Sequence, residues 1–132
     1  MTAANPIRVL VADDHPLLRE GIAAVLAGQA DIDLVGEASD GREALECFRQ
    51  LRPDVTLMDL QMPDINGLEA SAAIRKLPGY QETPILALTA NYSDQTKEQC
   101  LAAGMQAFLS KPVDAHELWS AVSRYLKNVP AE

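Results

Sequence analysis

Four short apolar runs in this chain each lead directly into a residue that can handle phosphate or a metal. They are IRVLVA into Asp13 and Asp14, VTLMD ending at Asp59, ILALT ending at Thr89, and AFLS before Lys111. Parallel strands joined by crossover helices place all their carboxyl ends on one edge of the sheet, and ligands bind at that edge where the strand order reverses. In such a sheet three carboxylates, a hydroxyl and an ammonium share one pocket. Carboxylates held close repel one another, so the cluster stays fully ionised only beside a multivalent cation, and all-oxygen ligands point to Mg²⁺.

The rest of the chain supplies the helices that a parallel sheet needs. Pro16 suits a first helical position and opens a segment with Leu17, Leu18, Ile22, Val25 and Leu26 at helical spacing, ended by Gly28. A second strand over 34–38 leads to Asp40, an N-cap with Glu43 three residues on, and a helix carrying Ala44, Leu45, Phe48 and Leu51 that Pro53 stops. Val55 to Met58 read as strand three, MPDING as a loop, 68–77 as a short helix, and Ile85 to Leu88 as strand four. A helix over 94–103 ends at Gly104, strand five covers 107–110, and Asp114 with Glu117 caps the last helix. The strands are almost continuously apolar, as when helices cover both faces, so the expected class is a doubly wound α/β fold.

A length of 132 residues fits one domain, with a core expected over about residues 6–127 and no effector domain in this chain. A 48% hydrophobic fraction supports a sizeable core. Lys and Arg number 11 against 19 Asp and Glu, a net charge of -8, which is the wrong sign for gripping a phosphate backbone. Direct nucleic-acid binding by this domain is not expected. No apolar stretch approaches the roughly 18 residues of a membrane span, and MTAANPIR has no export-signal pattern, so no membrane association and a cytoplasmic location are expected. Cys47 and Cys100 have no metal-ligand spacing and read as packed thiols.

The ordered set VADDHP, LMDLQMPDINGLE, LALTA and FLSKP resembles the receiver domain of two-component response regulators, from Ile7 to Lys127. The resemblance implies a flavodoxin-like (βα)5 sheet with strand order 2-1-3-4-5, as a single domain. It implies that Asp59 is the phosphoacceptor, with Lys111 and Thr89 neutralising and hydrogen-bonding the phosphoryl group. It assigns Mg²⁺ (or Mn²⁺) to Asp14, Asp59 and the Gln61 backbone carbonyl, with Asp13 acting through water. Thr89 and Phe108 take the switch positions, while Gln61 and Asn91 flank the path of the hydrolytic water and tune dephosphorylation. Lys111-Pro112 falls where the family commonly has a cis peptide. The implied donor is a histidine kinase or a histidine phosphotransfer protein, the output an unidentified downstream protein or attached effector, and a phosphorylation-dependent dimer is compatible with the family. The implied activity is catalysis of its own phosphorylation and slow dephosphorylation rather than turnover of a substrate.

Taken singly, each residue has a structural alternative: a loop-starting Asp at Asp59, the lesser reading there, an ordinary strand residue at Thr89, as strong as the functional one, and a solvated charge at Lys111, the usual state of a lone Lys. Their common position at strand ends is what favours a site. A haloacid-dehalogenase-like phosphatase or phosphotransferase is the alternative, but it typically carries an acid two residues after its nucleophile, where this chain has Gln61. A flavodoxin-like cofactor binder wants a Gly/Ser/Thr-rich loop after strand one, and ADDHP is opposite in charge. His15 is expected at the start of the helix or on the pocket rim rather than on the metal, because hard Mg²⁺ prefers oxygen. His116 is expected on a solvent-facing helix surface. DDHPLLREG resembles receivers of DNA-binding regulators, whereas CLAAGMQAFLSKPVDAHEL resembles those of hybrid kinases or stand-alone receivers, so the output stays open at this level.

Overall fold

The computed structural model describes residues 6–28, 31–62, 65–79, 83–90, 93–111 and 113–124. Five strands alternate with five helices: β1 Ile7–Ala12, α1 Pro16–Ala27, β2 Ile32–Ala38, α2 Gly41–Leu51, β3 Val55–Asp59, α3 Gly67–Arg75, β4 Ile85–Thr89, α4 Asp94–Ala102, β5 Ala107–Ser110 and α5 Ala115–Ser123. All pairings are parallel and the order is β2-β1-β3-β4-β5, the flavodoxin-like doubly wound arrangement expected from the resemblance.

Alternation along the strands divides the core in two, since successive side chains point to opposite faces. Leu10, Ala12, Met58, Ile85 and Ala87 pack with Phe48 of α2, Ile74 of α3 and Cys100 of α4. Val9, Val11, Leu57, Leu86 and Leu88 pack on the other face with Ile22 and Leu26 of α1 and Leu118 and Val122 of α5. Complete burial of side chains such as Phe48, Leu57 and Leu118 supplies about 1.5–3 kcal/mol each before conformational entropy is counted. The central strands β3 and β4 are buried throughout, whereas the edge strand β5 is only half-covered.

The caps follow the sequence. Asp40 accepts from the Glu43 N–H at 2.7 Å and Asp114 from the Glu117 N–H at 3.1 Å. Gly104 adopts φ +92, the left-handed conformation expected of a residue just past a helix. Two local features differ from expectation. β2 begins at Ile32 because the buried Ile32 pairs with Ile7 across the sheet, two residues before the apolar run becomes evident. α3 begins one residue early, at Gly67, behind a complete Asn66/Glu69 capping box. α2 stops ahead of Pro53 as expected, closed by Arg52 at φ 49, whose N–H bonds the Phe48 carbonyl at 2.9 Å and whose own carbonyl accepts from Arg8 Nη1 at 2.9 Å.

Candidate functional site

The register of the sheet brings the expected residues to one edge. Ala12 pairs with Met58, so the residues that follow, Asp13 and Asp59, emerge side by side. Thr89 pairs with Ser110, so Lys111 leaves the neighbouring strand end, and its N–H bonds the Thr89 carbonyl at 2.8 Å. Together with His15, Leu17, Leu18, Gln61 and Ala90, the residues Asp59, Thr89 and Lys111 line a cleft of about 570 Å³.

Asp13 and Asp59 are buried, and a single ammonium serves both: Lys111 Nζ lies 3.0 Å from Asp13 Oδ2 and 3.1 Å from Asp59 Oδ2. The Gln61 N–H donates to Asp59 Oδ1 at 3.2 Å. Burial, followed by the nearby Asp13 charge, nevertheless pushes the Asp59 carboxyl above its ordinary range, with Lys111 and the Gln61 N–H offsetting only part of the rise. Asp14 is half-buried, and its Oδ1 is enclosed without a hydrogen bond. The fold thus concentrates negative charge at a place with room beside it. Asp13, Asp14, His15 and Asp59 each present one ligand atom, all within 4.8 Å of one another, a donor set that fits a divalent cation.

Backbone contacts fix this geometry. The Asp13 N–H bonds the Ala38 carbonyl at 2.9 Å, and the Asp13 carbonyl accepts from Arg19 Nη1 at 2.6 Å, tying the end of β1 to both β2 and α1. Gly67 packs its α-carbon so close to the Asp59 carbonyl that a β-carbon there would overlap it, while the Gly67 N–H bonds the Leu60 carbonyl at 3.1 Å.

Two contributors escaped the sequence reading. His15, expected on the rim, turns Nδ1 to 2.9 Å from Asp13 Oδ1 and 3.2 Å from Asp14 Oδ1; its adjacency to the acidic pair was the available signal. Arg19 reaches the Asp13 carbonyl because it lies one helical turn beyond His15, a spacing visible in sequence but without direction until α1 is placed. Phe108 is half-buried against the α2–α4 face of the core, and His116 is exposed as expected. Asn91 and Pro112 lie outside the described residues, and with them the expectations about hydrolysis tuning at Asn91 and a cis peptide after Lys111.

A family profile described as the response regulator receiver domain matches residues 9–123. The chain belongs to that family. As a receiver domain of two-component systems it is a signalling domain, and the acidic pocket of Asp13, Asp14 and Asp59 fits the family's phosphoacceptor site. Among curated proteins it is 39% identical over 119 residues to the response regulator protein VraR of Staphylococcus aureus, an alignment covering 89% of this chain and 56% of that protein. The chain therefore spans a little over half the length of such relatives. The signal receiver domain of the response regulator NarL from Mycobacterium tuberculosis superposes with a TM-score of 0.85 at 38% identity, covering 93% of this chain and 98% of that one. The receiver domain of a Pseudomonas aeruginosa sensor histidine kinase, solved with a magnesium ion coordinated in its active site cleft, gives 0.83 at 31% identity, covering 92% and 98%. Nothing in these comparisons supports the haloacid-dehalogenase-like alternative. Among the described residues no helix is long and apolar enough to cross a membrane.

Proposed function

We propose that Asp59 accepts a phosphoryl group from a phosphohistidine on a histidine kinase or phosphotransfer protein, and that the resulting acyl phosphate resets the surface of α4, β5 and α5. The observation that carries this reading is the position of Asp59. It is a buried carboxylate that opens onto a cleft, with an ammonium 3.1 Å away and two further carboxylates at the neighbouring strand end.

In the transfer a carboxylate oxygen of Asp59 forms the new bond to phosphorus while the donor's P–N bond breaks, its electron pair leaving with the imidazole. Lys111 balances the charge of the transferred oxygens, and Thr89 donates its hydroxyl to them from the end of β4. Asp14, Asp59 and the Gln61 carbonyl would hold Mg²⁺ or Mn²⁺, with Asp13 acting through water; the ion supplies charge neutralisation that lets one anion approach another. The buried, ion-poor carboxylates favour this assignment, and so does the magnesium ion of the Pseudomonas relative. Gln61 is an exposed neutral amide and a poor general base, so phosphoryl decay is slow enough to relay a signal. Drawing Thr89 and Lys111 toward one phosphoryl group moves the segments leading into α4 and α5, with Phe108 between them.

The full chain is treated with phosphorus-labelled acetyl phosphate and Mg²⁺ and the label is mapped. The expected result is label on Asp59 and none taken up by Asp59→Asn. Uptake at the wild-type rate by that variant, or label on His15 or His116, overturns the assignment.

A further inference from the structure

α4 is fastened at one end. Asp94, Gln95, Lys97, Glu98 and Gln99 are exposed and Thr96 is half-buried, so burial in this helix falls on Cys100, in its last turn. The start of the helix is capped by its own Ser93, whose Oγ accepts from the Thr96 N–H at 3.1 Å. The other end is gripped by side chains of α3. Ser71, fully buried, donates its hydroxyl to the Ala103 carbonyl at 2.8 Å. One helical turn on, Arg75 donates to the Gly104 carbonyl from Nε at 3.0 Å and from Nη2 at 2.5 Å, and Nη2 also reaches Gln106 Oε1 at 3.1 Å.

The grip extends into the sheet. Gln106 Oε1 accepts from the Ile85 N–H at 2.7 Å, and the Gln106 N–H donates to the Ile85 carbonyl at 3.0 Å, which joins the clamp to the first residue of β4. Gly104 lets Arg75 lie against it, since a β-carbon there would stand 2.7 Å from Nε and 2.8 Å from Cγ. α3 is itself fixed by Ala70, Ser71 and Ile74, all buried. The turn from Ala103 to Gln106 therefore sits at the amino edge of β4 and β5, opposite the edge that carries Thr89 and Lys111. A sparsely packed helix held at the end far from the cleft can shift its near end while giving up few apolar contacts.

We propose that Ser71 and Arg75 hold the foot of α4 as a fixed pivot, so that phosphorylation of Asp59 moves the cleft end of the helix and leaves the 103–106 turn in place. This rests on the switch reading given above and names what the moving helix is levered against. The clamp makes the same hydrogen bonds before and after the change, so it does not oppose switching; it confines where the change goes. Ser71 and Arg75 are thus positioning residues for the output surface.

Amide hydrogen exchange of the full chain, read by NMR with and without beryllium fluoride and Mg²⁺, tests this. In the wild type the mimic should change exchange at Lys97 to Gln99 several-fold and leave unchanged that at Met105, whose peptide group carries the Gly104 carbonyl. In Arg75→Met without the mimic, exchange at Met105 should rise by about tenfold, the factor set by losing a hydrogen bond from a charged donor. With the mimic, Met105 of that variant should respond as well, which a merely structural loss would not cause. Arg75→Lys, which replaces the fork by a point charge, should fall between. Ser71→Ala should speed exchange at Gly104, whose peptide group carries the Ala103 carbonyl. A wild-type response at Met105 equal to that at Lys97 overturns the pivot alone. Unaltered Met105 exchange in both Arg75 variants, or exchange there that stays insensitive to the mimic, overturns the clamp. If the mimic changes nothing in α4, or acts equally on Asp59→Asn, the switch reading fails and the pivot falls with it.

Discussion

Lys111 Nζ and Asp59 Oδ2 are 3.1 Å apart at the carboxyl edge of the sheet, and the same ammonium lies 3.0 Å from Asp13 Oδ2. One cation thus holds two buried anions. The arrangement is under-neutralised by one charge, and several properties of the domain depend on that imbalance.

Removing the ammonium leaves both carboxylates without their cation. Lys111→Met should destabilise the metal-free protein by about 3 kcal/mol at neutral pH, the lower end for breaking a buried pair. The deficit should shrink as pH falls and the Asp59 carboxyl, raised by burial, takes up a proton. Urea denaturation at pH 7 and at pH 4 checks both the loss and its pH dependence.

Asp59 itself is strained electrostatically, first by burial and then by Asp13. A carboxyl raised in the folded state binds more protons folded than unfolded over the pH between its two pKa values. Stability is therefore lost as pH rises from the ordinary carboxylate value through the raised one. Asp59→Asn, which cannot ionise, should melt a few degrees above the wild type at pH 7 without divalent ions, the scale that about 1 kcal/mol sets in a domain of this size. The difference should vanish below about pH 4, where the unfolded carboxyl is also protonated. Added Mg²⁺ should raise the melting temperature of the wild type and leave that of Asp59→Asn nearly unchanged.

Gly67 offers a backbone route to the same site. A β-carbon there would overlap the Asp59 carbonyl, so Gly67→Ala must push α3 or the end of β3 aside. The expected loss is about 2–3 kcal/mol from overpacking, together with slower uptake of label from acetyl phosphate. Normal stability and normal uptake would show that the close approach is relieved freely.

Gln61 should influence how long the phosphoryl group persists. Its side chain is exposed while its N–H is bonded to Asp59 Oδ1, so a substitution changes the mouth of the cleft without removing that backbone contact. Gln61→Glu or Gln61→Lys should alter the decay rate by about tenfold, modest beside the roughly 10²–10⁴ that a well-placed acid or base contributes. Decay of the phosphorylated full chain, followed in both variants, tests this, and identical half-lives would remove Gln61 from that role.

Beryllium fluoride with Mg²⁺, as a phosphoryl mimic, should produce its largest amide shifts outside the cleft in residues 93–104 and 107–119. Thr89 and Lys111 lead into those segments through a 2.8 Å backbone bond between them. A response centred on α2 would place the output face elsewhere.

The sequence determined what local physics controls. Apolar runs ending in Asp13, Asp59, Thr89 and Lys111 mark the strands and their functional ends, and Asp40, Asp114 and Gly104 mark helix boundaries because caps act within a few residues. Strand order was legible only through resemblance, since periodicity does not specify which strand lies beside which. Tertiary structure decided the rest. Pairing across β1 and β3 put Asp13 beside Asp59, and parallel register carried Lys111 to both. The packing of α1 against the sheet turned His15 and Arg19 toward the acidic end of β1, and the approach of α3 made Gly67 obligatory beside the Asp59 carbonyl. Those directions come from contacts between residues distant in the chain, and so does the raised Asp59 pKa, which arises only once the strands have removed the carboxylate from water and set a second one next to it.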